Sequence, residues 1–129
     1  MKRLFIATKI ELNEQYMSLM RQLQRQLSGD KIVWVDSQLQ HLTLRFLGQT
    51  ADNHIPKLKK MLNVLANQTQ AFSLNLDKLG IIGSKYAPEV LWLGFSEFVP
   101  YLQLFEKMEE HLLDLGFEPN HGNVVPHIT

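Results

Sequence analysis

The spacing of apolar positions switches repeatedly along the chain. It moves between the two-residue period of a half-buried strand and the three-to-four-residue period of an amphipathic helix. Arg3–Thr8 (RLFIAT) is apolar and β-rich and reads as a first strand. Leu12, Met17, Met20, Leu23 and Leu27 then recur at helical spacing, which predicts a helix over Glu11–Leu27 with Gly29 as its stop. Lys31–Val35 (KIVWV) reads as a short strand. His41–Leu47 (HLTLRFL) alternates, with Leu42, Leu44 and Phe46 on one face and His41, Thr43, Arg45 and Leu47 on the other, and Gly48 is its expected end.

A second helix is expected from Asp52 or Asn53 to Ala66, burying Ile55, Leu58, Met61, Leu62 and Leu65. Pro56 falls in its first turn, where a missing N–H costs no hydrogen bond. Phe72–Leu79 (FSLNLDKL) alternates again, Gly80–Pro88 connects, and Glu89–Phe95 returns as a strand. A third helix opens at Pro100 and runs to Leu115 before Gly116, and Val124–Thr129 begins one more strand. The order β-α-β-β-α-β-β-α-β, with no linker or tandem repeat, predicts one α+β domain over residues 1–129 with mainly antiparallel sheet. Phe5, Trp34 and Trp92 fall in apolar strands and are assigned to the core, and His54 and His111 to the surface.

Composition narrows the classes. A chain of 129 residues that is 45% hydrophobic and 20% charged has the makings of a folded domain. It has no cysteine, which excludes disulfides and thiolate metal sites. The first ten residues are too short an apolar run for a signal peptide or membrane span, and a cytoplasmic, monomeric protein is the expectation. Net charge is zero but uneven: Met1–Lys31 carries six basic against three acidic residues, and Glu97–Glu118 six acidic against Lys107. No broad basic footprint for duplex nucleic acid is present, so a nucleic-acid substrate would be gripped at an end.

The candidate chemistry lies in a repeated triplet, His41-Leu42-Thr43 and His127-Ile128-Thr129. On a strand, residues i and i+2 share a face, so each triplet aims an imidazole and a hydroxyl together with an apolar residue behind them. Histidine serves as acid or base near neutrality, and threonine hydroxyls can donate to phosphate oxygens. Arg45, on the same expected face, could reach a phosphate, and Tyr86, in the connection before the returning strand, could stack on a base. Each triplet alone is equally well a solvated strand, and the weight falls on the pair.

These residues resemble the 2H phosphoesterase superfamily, and within it the bacterial and archaeal RNA 2′,3′-cyclic phosphodiesterases, also called 2′-5′ RNA ligases. The carriers are Arg3-Leu4-Phe5-Ile6-Ala7, Trp34-Val35, His41 through Gly48, Leu79-Gly80, Val90-Leu91-Trp92-Leu93-Gly94 and Pro126-His127-Ile128-Thr129. The resemblance implies a two-lobed α+β fold with antiparallel sheets, outer helices and a central cleft flanked by the motif strands. It implies metal-independent opening of RNA 2′,3′-cyclic phosphate ends, or of small cyclic nucleotides, to 2′-phosphates without a cofactor, with reversible 2′-5′ ligation in some members. His41 and His127 would be the acid–base pair, in an order the sequence leaves open, and Thr43 and Thr129 the phosphate-binding hydroxyls. The family pattern continues for some tens of residues past the second motif, so the sequence is expected to be truncated after it.

Competing readings are weaker. A metal hydrolase would want carboxylates that neither triplet contains, and a Ser or Cys nucleophile has no motif here. The alternative that stays open is a non-catalytic relative binding RNA ends or nucleotides.

Overall fold

The computed structural model describes residues 1–11, 13–29, 31–83, 88–122 and 124–129. Strand β1 (Lys2–Lys9) is followed by helix α1 (Glu14–Gln26), strand β2 (His41–Thr50), helix α2 (Ile55–Asn67), strands β3 (Lys78–Gly83) and β4 (Pro88–Gly94), helix α3 (Val99–Asp114) and strand β5 (His127–Ile128). β1 and β2 form one antiparallel sheet, and β3, β4 and β5, in that order, form a second. The fold is α+β, with two sheets and three α-helices among the described residues.

Helix limits follow from local chemistry. The Asn13 side chain accepts the Tyr16 amide N–H at 2.8 Å and caps α1. Pro56 and Pro100 stand in the first turns of α2 and α3. Tyr101, Phe105, Met108 and Leu112 recur every three or four residues and are all buried on α3, as are Leu58, Met61 and Leu65 on α2.

Each sheet has its own core. Ile6 packs with the buried faces of α2 and α3, joined at the margin by Leu4, Leu44 and Leu47. Tyr16 of α1 packs with Leu93, Phe95 and Ile128, joined by Leu42, Leu74 and Leu76.

The expected alternation of β2 fails in its second half because the strand carries two bulges. The pairs run Leu4↔Gly48 then Phe5↔Phe46, and Ile6↔Arg45 then Ala7↔Thr43, so Leu47 and Leu44 are extra residues opposite a regular β1. A bulge of one residue turns the following side chain to the other face. Arg45 therefore joins Ile6 on the core side, and Phe46 joins His41 and Thr43 on the open side, where it is 66% exposed. Phe5, opposite Phe46, is likewise 49% exposed and is no core residue. Gly48 does not end the strand: it sits at the first bulge with φ 69°, a left-handed conformation that side chains with a Cβ resist.

Three other expectations change. Lys31–Val35 is no strand: it pairs with neither sheet, and Val33 is fully exposed. Phe72–Leu79 is not strand until Lys78, because Lys78↔Gly94 is the last pair of the β3–β4 ladder and β4 ends there. Before it, Asp77 accepts the Ser96 amide at 2.7 Å and the Ser96 hydroxyl. These bonds, the hydroxyl first, hold its carboxyl below the usual range. His54 is half-buried, with its ring 5.4 Å from that of Phe117.

Arg45 meets Glu109 of α3, Nε to Oε1 at 2.5 Å, with side chains only 10% and 17% exposed. Removing one partner of a pair so withdrawn from water strands the other charge. Glu109→Gln is expected to cost about 3 kcal/mol in chemical denaturation, and the double variant Arg45→Met/Glu109→Met to recover most of that loss.

Candidate active site

The two triplets come together through their middle residues. Leu42 packs against the core cluster that contains Ile128, and β2 lies alongside β5 although they belong to different sheets. With Leu42 and Ile128 turned into one core, strand alternation turns His41, Thr43 and His127 to the opposite side. Both imidazoles are half-buried there.

The two histidines are held in the same way. His41 Nδ1 lies 2.9 Å from the Leu39 carbonyl oxygen, and His127 Nδ1 lies 3.0 Å from that of Val125, each two residues back. A carbonyl can only accept, so Nδ1 carries the hydrogen and donates. That fixes the neutral tautomer and leaves Nε2 as the free basic atom on each ring. An aromatic ring from the neighbouring strand flanks each imidazole. Phe5 of β1 lies 5.1 Å from His41, and Trp92 of β4 lies 6.2 Å from His127, edge to face.

Several buried groups that sequence reasoning missed set the backbone of these strands. The Tyr101 hydroxyl on α3 donates to the Thr43 carbonyl at 2.9 Å, and the Tyr16 hydroxyl on α1 donates to Gln40 Oε1 at 2.5 Å, one residue before His41. Tyr16, Gln40 and Tyr101 are all buried. Burial pushes both phenols above their ordinary pKa, so they remain donors. Glu109 links the strands from behind, since Oε1 holds Arg45 on β2 while Oε2 accepts the Asn120 amide, on the segment leading to β5, at 3.2 Å.

Trp92 is positioned by absent side chains. A Cβ on Gly80, its cross-strand partner, would lie 2.3 Å from the indole, and one on Gly94 2.6 Å from it. The indole can lie across both positions only because they are glycines.

The remaining candidates divide. Thr43 lies on the face of His41, as expected. Thr129 is exposed, follows the two paired residues of β5, and stands on the rim of a groove with Ile128 and Trp92. Arg45 does not join the site: its guanidinium is consumed by Glu109 and the carbonyls of Phe46 and Glu118, at 2.5, 2.7 and 2.5 Å. The bulge at Leu44 accounts for that reversal. Tyr86 lies outside the described residues. The groove, 660 Å³ in volume, lies between α1 and the second sheet and is lined by apolar side chains such as Met20, Leu23, Leu91 and Leu93. Neither histidine lines it, so it is not where an imidazole could act. Among the described residues no three His, Cys, Asp or Glu side chains gather as a metal would require, and no helix is long and apolar enough to cross a membrane.

A family model described as LigT like phosphoesterase matches residues 8–92. An RNA 2′,3′-cyclic phosphodiesterase of Thermotoga maritima is 30% identical over 129 residues, covering 98% of this chain and 67% of the relative. One from Geobacillus stearothermophilus is 33% identical over 96 residues, and the match spans only 31% of its length. Among solved structures, a protein of Thermus thermophilus superposes with a TM-score of 0.84 at 24% identity, covering 99% of this chain and 72% of that one. LigT of E. coli complexed with 3′-AMP gives 0.63 at 26%, covering 98% and 69%. Two antiparallel sheets bringing two His-x-Thr triplets side by side, and a family match across two thirds of the sequence, lead to one assignment: the chain belongs to the LigT-like phosphoesterases of the 2H superfamily.

Proposed function

We propose that this chain opens 2′,3′-cyclic phosphate ends of RNA to 2′-phosphates, with His41 and His127 as the acid–base pair and no metal. The observation that carries the reading is the shared posture of the two rings, each donating from Nδ1 to the carbonyl two residues back and leaving Nε2 free. The names of the relatives give the substrate class its support.

Ring opening requires in-line attack by water on phosphorus. One group takes the water proton, and another protonates the departing 3′ oxygen on the opposite side. Two imidazoles on neighbouring strands of different sheets suit these two positions. In this scheme His127 Nε2 takes the proton from water, and protonated His41 gives its Nε2 proton to the 3′ oxygen. Thr43 and Thr129 donate to the non-bridging oxygens, where negative charge grows in the transition state. With an RNA 5′-hydroxyl attacking phosphorus in place of water and the 3′ oxygen again departing, the same steps join RNA ends by a 2′-5′ bond.

The test is an oligonucleotide ending in a 2′,3′-cyclic phosphate. His41→Ala and His127→Ala should each lower kcat by about 10²- to 10⁴-fold, and the product should carry a 2′-phosphate. A 3′-phosphate product would overturn the leaving-group assignment, and binding without turnover would replace the enzyme by a binding module. A phosphodiester with a nitrophenolate leaving group separates the roles. It needs no acid, so it should rescue His41→Ala and leave His127→Ala inactive, whereas rescue of His127→Ala alone would exchange them.

Incubation with a chelator should leave the rate unchanged, and loss of activity restored by a divalent cation would contradict a metal-free mechanism.

Gly80→Ala should act through Trp92. Its new Cβ cannot coexist with the indole where it lies, so His127 loses its flanking ring. The expected result is a fall in kcat of up to about a hundredfold, the scale of a reacting group misplaced by about 1 Å. Near-UV circular dichroism should report the displaced tryptophan, and an unchanged kcat with a changed spectrum would remove Trp92 from the positioning of His127.

A further inference from the structure

The open face of the β1–β2 sheet is more than a support for His41. Arg3, Phe5, Ala7 and Lys9 alternate along β1 on one face and all four are exposed. Opposite them on β2 stand Gln49, Phe46, Thr43 and His41 in turn. These eight residues include no acidic one, and they form an ordered strip. At one end Lys9 pairs with His41, next come Ala7 and Thr43, then the two phenylalanines, and finally Arg3 with Gln49. The rings form a sequence of steps away from the imidazole: His41 to Phe5 is 5.1 Å between centroids, and Phe5 to Phe46 is 5.9 Å.

Two exposed rings, 49% and 66% open to water and between two cations, are matched by a ligand that is flat and apolar in part and anionic in part. A second copy of this chain fits the strip poorly, because it would set Arg3 and Lys9 against like charges. Single-stranded RNA fits it: bases stack on the rings, and phosphates meet the cations. A 2′,3′-cyclic phosphate is necessarily the 3′ end of its strand, so a strand held at His41 must continue in the 5′ direction.

We propose that this face is a track for the nucleotides preceding the cyclic end, with the penultimate base stacked on Phe46 and a phosphate 5′ of the terminal nucleotide held by Arg3. The proposal rests on the phosphodiesterase reading for which end of the RNA is bound, and it specifies that reading: the preferred substrate is an oligonucleotide end and not a free cyclic mononucleotide. Phe46 owes its place on the strip to the β2 bulge at Leu44, for on a regular strand it would face the core.

The test compares kcat/KM for adenosine 2′,3′-cyclic phosphate with that for a triadenylate carrying the same end. The native chain should favour the trinucleotide by about tenfold or more, the scale of one stacked base. Phe46→Ala should bring the ratio toward one and Phe46→Trp should restore it. Arg3→Gln should reduce it and flatten its salt dependence. Equal kcat/KM for the two substrates in the native chain, or a ratio indifferent to Phe46→Ala, overturns the track while leaving the phosphodiesterase reading intact. Fluorescence anisotropy with a labelled triadenylate 2′-phosphate gives the converse separation. Binding weakened about tenfold by Phe46→Ala, in protein that turns over neither substrate, supports the track and overturns the activity. Binding indifferent to both variants overturns the track whatever the turnover.

Discussion

Leu42 and Ile128 are the middle residues of two triplets far apart in sequence, and both are drawn into the apolar cluster built around Tyr16, Leu93 and Phe95. Everything at the candidate site depends on that shared burial. The two strands belong to different sheets, and no ladder hydrogen bond joins them among the described residues. What holds them in mutual position is the loss of apolar surface to water, of the order of 2 kcal/mol for each fully buried side chain. Hydrophobic burial has no direction of its own. Strand alternation supplies the direction, since an apolar residue fixed inward fixes its two neighbours outward.

Direction is then refined by hydrogen bonds that cost little to form in place. Each imidazole closes a local bond to a carbonyl two residues back, and each is flanked by a ring from the adjacent strand. Behind them, Tyr101 and Tyr16 reach from α3 and α1 to the backbone and side chain next to His41. Glu109 ties β2 to the segment approaching β5. The helices thus cover the cores and also set the placement of the strands carrying the chemistry.

The helices were legible in the sequence because their signals are local: prolines in first turns and apolar residues every three or four positions; the Asn13 cap, which starts α1 at Glu14 and not at Glu11, was not read. The triplets were legible as imidazole–hydroxyl pairs for the same reason, because alternation over three residues needs no partner. What could not be read was anything set by pairing across the sheet. A regular period of two put Arg45 with His41 and Phe46 in the core. One extra residue opposite β1, Leu44, reversed both, and a bulge is a property of two strands, with only Gly48, beside the second bulge, as a trace of such pairing in one. Lys31–Val35 has the composition of a strand but finds no neighbour to pair with. The roles of Glu109 and Tyr101 were equally hidden, since each acts on a residue more than fifty positions away.

The account requires that both rings carry hydrogen on Nδ1 when neutral and present Nε2 to one ligand. A long-range ¹H–¹⁵N correlation spectrum of the imidazoles, recorded while adenosine 2′-monophosphate is added, tests this directly. His41 and His127 should both show the Nδ1–H pattern in the free protein, and the Nε2 signals of both should move together with a single binding curve. An Nε2–H pattern on either ring, or a response from one histidine while the other stays still, would contradict it.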